Sequence, residues 1–92
     1  MIQEVENIIC EHFGIDNEVV RSNKTTKDVC LVRSIIWYIL YNSFGYSAKK
    51  LSDEYGRTIR NIRYSIANTR FLIEKDKEFQ AIYKNVKSLI KK

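Results

Sequence analysis

The chain has no proline, and each of its three glycines directly follows an aromatic residue: Phe13-Gly14, Phe44-Gly45 and Tyr55-Gly56. Without proline, no residue breaks a helix from within by removing its N–H donor. Glycine just past an apolar stripe supplies the left-handed residue that ends a helix, and the preceding aromatic can pack back on the core. Three helix ends are therefore marked. Large apolar residues recur at spacings of three and four, so the many isoleucines read as helix faces and not as strands. The expected class is all-α, a compact domain of five to six helices spanning residues 1–92.

The first helix is expected from Ile2 to Phe13, with Ile2, Val5, Ile9 and Phe13 on one face. Asp16 can cap a short second helix carrying Val19 and Val20, and "RSNKTTK" is a polar connector. Asp28 or a nearby threonine can open a third helix reaching Phe44. Its apolar residues run almost all round the cylinder, the pattern of a bundle's buried centre. Trp37 is expected to be only partly buried there, since neighbours need not cover every side. Ser47 caps "AKKLSDEY", and a longer helix follows Gly56 to about Ile73. Asp76 caps a last helix over 76–91, with Phe79, Ile82, Val86, Leu89 and Ile90 in one stripe.

Charge is divided unevenly. Residues 1–22 hold five acids against one base, whereas residues 23–92 hold fifteen bases against six acids. Like charge gathered over most of a domain points to a polyanionic partner. The acidic N-terminal helices at 1–22 could instead meet a protein partner, with Tyr38, Tyr41 and Tyr46 as a further contact.

Residues 47–73 read as a helix-turn-helix with its turn at Gly56. On a helical wheel Ile59, Ile62, Ile66 and Ile73 share one face of the second helix. Arg57, Arg60, Asn61, Tyr64 and Asn68 share the other, with Arg63 and Arg70 to one side. No acid stands between Arg57 and Arg70, so no neighbouring carboxylate neutralises these arginines at helical spacing. Lys49 and Lys50 lie in the first turn of the preceding helix, where the dipole favours an anion such as phosphate. Thr58, Ile59, Arg60, Asn61 and Tyr64 are the candidate base-reading residues, and Lys49, Lys50, Arg57 and Arg63 the candidate phosphate-binding residues.

The stretch "YSAKKLSDEYGRTIRNIRYSIANTRFLIEKDKEF" resembles the C-terminal DNA-binding domain of the bacterial chromosomal replication initiator DnaA. That resemblance implies a Trp-repressor-like helical fold, double-stranded DNA as partner and a role in replication initiation. The family signature, Gly-Arg-Asp-His-Thr/Ser-Thr-Val, falls on Gly56, Arg57, Thr58, Ile59, Arg60, Asn61 and Ile62. "VRSIIWYIL" stands where the family has Pro-Arg-Gln and an apolar run, so Arg33 matches the family arginine and Val32 replaces its proline. The resemblance implies minor-groove contacts from the connector, where Lys24 and Lys27 stand. Because Thr58, Ile59 and Arg60 replace the family's Asp-His-Thr, altered base reading is expected.

Other chemistry is sparse. The lone His12 sits in an acidic amphipathic helix, and the adjacent Asp53 and Glu54 point to different sides of theirs, so no catalytic site is expected. Cys10 and Cys30 lack the spacing of a zinc site or disulfide framework, so no metal or cofactor is expected. The sequence contains no GxxxxGK[ST] phosphate loop, so nucleotide binding is not expected. "SIIWYIL" is too short to cross a bilayer and the N-terminus carries acids where a signal peptide carries bases. The expected location is the cytoplasm.

Overall fold

A computed structural model describes residues 1–90. It contains six helices and, among the described residues, no strand: α1 (Ile2–Phe13), α2 (Asn17–Arg21), α3 (Lys27–Phe44), α4 (Ala48–Tyr55), α5 (Ile59–Lys75) and α6 (Lys77–Ser88). All three glycines adopt left-handed φ, as the end signals require. Gly56 shows why. At φ +63° an L side chain is strained even though a Cβ there would touch nothing within 4 Å. The turn is then closed by the Arg57 N–H on the Ser52 carbonyl and by the Ser52 hydroxyl on the Arg57 carbonyl.

The starts of α4, α5 and α6 are set by side-chain caps. Ser47, Thr58 and Asp76 accept from the backbone N–H groups of Lys50, Asn61 and Phe79, satisfying donors that helix geometry leaves orphaned. Asp76 thereby ends α5 and opens α6. Asp16 and Thr26 occupy the N-cap positions of α2 and α3 without a side-chain cap bond.

α3 is the centre. Val32, Ile35, Ile36, Ile39 and Leu40 are buried around it, and α1, α2 and α5 pack on its sides. α4 and α6 pack on α5, so the helix-turn-helix rests on the core through Leu51, Tyr55, Ile62 and Ile66. Three expectations need correction. Trp37 is only 5% exposed, and the Tyr55 ring of a neighbouring helix packs edge-on against it at 5.7 Å. Arg21 ends α2 and Lys27 begins α3, so the connector keeps neither end of the expected stretch. α6 ends at Ser88, where Leu89 turns outward, and the expected helical residue 91 lies outside the described residues. No helix among the described residues is long and apolar enough to cross a membrane.

Candidate nucleic-acid interface

α5 has two chemically opposite faces. Ile62, Ile66 and Thr69 are buried inward, and Arg60, Asn61, Arg63, Tyr64, Asn68 and Arg70 are exposed. Tyr64 stands 74% exposed, a flat ring with little of its surface committed to the core. Among the described residues Arg60, Arg63 and Arg70 have no ion pair. The result is an exposed cationic face on a helix anchored by its isoleucines.

The first turn of α5 is partly committed to its own structure. The Thr58 hydroxyl accepts the Asn61 N–H at 3.1 Å, and Ile59 is half-buried against the core. On α4, Lys49 is held by Asp53 at 2.8 Å, an exposed i,i+4 pair worth a few tenths of a kcal/mol. Lys50 is exposed with no ion pair among the described residues. A shallow groove lined by Tyr41, Ser47, Arg63 and Arg70 brings the start of α4 alongside two of the α5 arginines.

Lys24 and Lys27 are exposed on and beside the connector, which is tied to the rest of the molecule by two other arginines. Arg33, buried on α3, donates Nε to the Val20 carbonyl at 2.9 Å and Nη2 to the carbonyls of Ser22 and Lys24, each at 3.0 Å. Arg57, half-buried, donates Nη2 to the same Ser22 carbonyl. Burial holds the Arg33 guanidinium below its usual pKa, and the Arg57 charge lowers it further. Arg57, Asn61 and Tyr64 also line a groove of about 240 Å³ between α3 and α5, floored by Arg33, Ser34 and Trp37.

A second polar cluster escaped the sequence reading. The fully buried Glu6 carboxylate accepts from Asn17 Nδ2 at 2.6 Å, from the Tyr55 hydroxyl at 2.6 Å and from Arg21. Arg21 also reaches Glu54 at 3.2 Å and lies 4.6 Å over the Tyr55 ring. These contacts fasten α1 and α2 to the end of α4. Arg33 had a readable signal, since it is the lone charge in the apolar run from Val29 to Leu40. Glu6 had a weaker one, standing four residues after Ile2 and three before Ile9 on the apolar face of α1, but its partners are distant in sequence.

Burial first, then the Glu6 charge, pushes the Cys10 thiol up to about 11, so it stays protonated at neutral pH. Among the described residues no group of three His, Cys, Asp or Glu side chains could hold a metal ion.

Residues 2–67 match the family described as the bacterial dnaA protein helix-turn-helix, a span that runs from α1 into α5. The chromosomal replication initiator protein DnaA of Pseudothermotoga lettingae is 33% identical over 64 residues, covering 70% of this chain and 14% of the relative. The protein of the same name from Bacteroides thetaiotaomicron is 24% identical over 92 residues, covering 99% of this chain and 20% of the relative. That from Bacteroides fragilis is 21% identical over 92 residues. The chain thus spans a fifth or less of the length of these relatives. It belongs to the bacterial DnaA helix-turn-helix family.

Proposed function

We propose that this chain binds double-stranded DNA by laying α5 in the major groove, with a sequence preference different from that of the replication initiator. The observation that carries this reading is the outer face of α5, whose exposed arginines have no carboxylate among the described residues to neutralise them. Membership of a helix-turn-helix family found in replication initiators supports the same mode.

Roles follow from donor geometry. Arg60 can fork onto guanine and Asn61 suits adenine. The Tyr64 ring and the methyl groups of Thr58 and Ile59 suit thymine, and the Thr58 hydroxyl, which accepts one bond in its cap, keeps its O–H to donate. Lys49, Lys50 and Arg63 serve phosphates. Arg57 serves one with the guanidinium donors that do not hold Ser22, and Lys24 and Lys27 reach the flanking minor groove.

Selection from a random duplex library tests this. Each good bidentate contact discriminates by about 1–3 kcal/mol, enough to change the preferred base at two positions. Enrichment of a site other than the initiator's own box is expected. Recovery of that box as the top site would refute the altered preference, and failure to enrich or retain any duplex would refute DNA binding itself.

A further inference from the structure

We propose that the groove between α3 and α5 seats a single phosphate group, held by the guanidiniums of Arg33 and Arg57 and by the indole N–H of Trp37. Trp37 is the chain's one tryptophan, and it lines this groove. Its Nε1–H is buried and has no acceptor among the described residues. Leaving such a donor unsatisfied is expensive, so a buried orphan beside a groove marks the place of a missing acceptor.

The acceptor's charge follows from its neighbours. Arg33 and Arg57 converge on one neutral carbonyl, that of Ser22, and no carboxylate lines the groove. Ser34, Asn61 and Tyr64 add polar groups that can donate, and no acid competes with an incoming anion. An oxyanion there would offset the repulsion between the two guanidiniums and offer several acceptor lone pairs at once. At about 240 Å³ the groove is smaller than the roughly 300–1,000 Å³ typical of small-molecule pockets, which suits a phosphate group rather than a larger ligand.

The source follows from position, and here the inference rests on the DNA reading above. One wall belongs to α5 through Asn61 and Tyr64. The other side is tied to the connector through Ser22. A strand that touches both α5 and the connector passes over the groove and can set one backbone phosphate in it.

Because there is one tryptophan, the indole cross-peak in a ¹H–¹⁵N spectrum reports on this site alone. The protein is titrated separately with inorganic phosphate, at ionic strength held constant with chloride, and with duplex DNA. A saturable movement of the Trp37 indole peak by either is expected, and movement by duplex at far lower concentration identifies a backbone phosphate as the source. Movement by inorganic phosphate without any duplex binding would uphold the seat while refuting the DNA reading. Trp37→Phe keeps an aromatic ring, though a smaller one, and loses the donor. It should weaken the occupant's binding about tenfold, as expected for a hydrogen bond to a charged group. Arg57→Gln should do likewise, with folding of both variants checked by circular dichroism. An indole peak unmoved by phosphate and by bound duplex, or unchanged affinity in both folded variants, overturns the proposal.

Discussion

Replacing Glu6 with alanine should destabilise the protein by about 3 kcal/mol, the lower end of the range for breaking a buried ion pair. The carboxylate is fully buried, whereas Arg21 keeps 31% of its side chain exposed and can recover some hydration once released. The Tyr55 hydroxyl, buried and donating to Glu6 at 2.6 Å, would lose its acceptor as well. Glu6→Gln should lose less, because its one amide oxygen can still accept from Tyr55, the donor on Oε1, although the amide NH2 then faces the Asn17 donor on the Oε2 side. Acid should reproduce part of the loss in the unaltered protein. Burial alone would raise the Glu6 pKa, but hydrogen bonds from Arg21, Tyr55 and Asn17 together with the Arg21 charge outweigh it and hold the pKa below 4.5. With the folded pKa depressed, the stabilisation is complete above the unfolded pKa and disappears as pH falls through the folded one. Urea unfolding should therefore show the gap between wild type and Glu6→Gln closing below about pH 4.5. A gap that stayed constant or widened towards acid would contradict this, as would a Glu6→Ala loss under about 1 kcal/mol.

Ile62→Ala and Ile36→Ala should each cost about 2–4 kcal/mol. Both side chains are fully buried, Ile62 on α5 and Ile36 on the central α3, so truncation removes transfer energy and leaves a void that packed neighbours only partly fill. The two variants should differ in their effect on function. Ile62 lies two residues from Arg60 and one from Asn61, on the opposite face of the same turn, so loosening it shifts the side chains proposed to read bases. Duplex affinity measured well below the melting transition should fall more for Ile62→Ala than for Ile36→Ala. Losses under about 1 kcal/mol for both would mean that these isoleucines are not core.

The contrast between these residues shows what one-dimensional reading can reach. Ile62 and Ile36 declare themselves by local spacing, and helix ends declare themselves at Gly14, Gly45 and Gly56, because a left-handed residue leaves a signature at a single position. Ser47, Thr58 and Asp76 are legible caps for the same reason. The burial of Trp37 was not legible, since Tyr55, which packs against it, belongs to another helix. The Glu6 cluster joins residues 11, 15 and 49 positions apart, distances at which no periodicity survives.

For the interface, the exposed arginine face of α5 was readable from the wheel. The tie between Arg57 and the Ser22 carbonyl was not, because it spans 35 positions and ends on a backbone atom. The Lys49–Asp53 pair stood at helical spacing in plain view. It means that Lys49 enters any phosphate contact by exchanging partners, whereas Lys50 does not.

The central claim, that the basic helix-turn-helix face binds duplex DNA through its phosphates, is tested most directly by the salt dependence of binding. The logarithm of the association constant for a duplex should fall linearly with the logarithm of salt concentration, with a slope of about −4 to −5 if about five phosphates are neutralised. Lys50 and Arg63 are exposed cations with no ion pair among the described residues, so replacing both with alanine should leave the melting temperature nearly unchanged. The double variant's slope should be shallower by about 1.8, at about 0.9 for each contact removed. A flat salt response in the unaltered protein, or an unchanged slope in the folded double variant, would contradict the account.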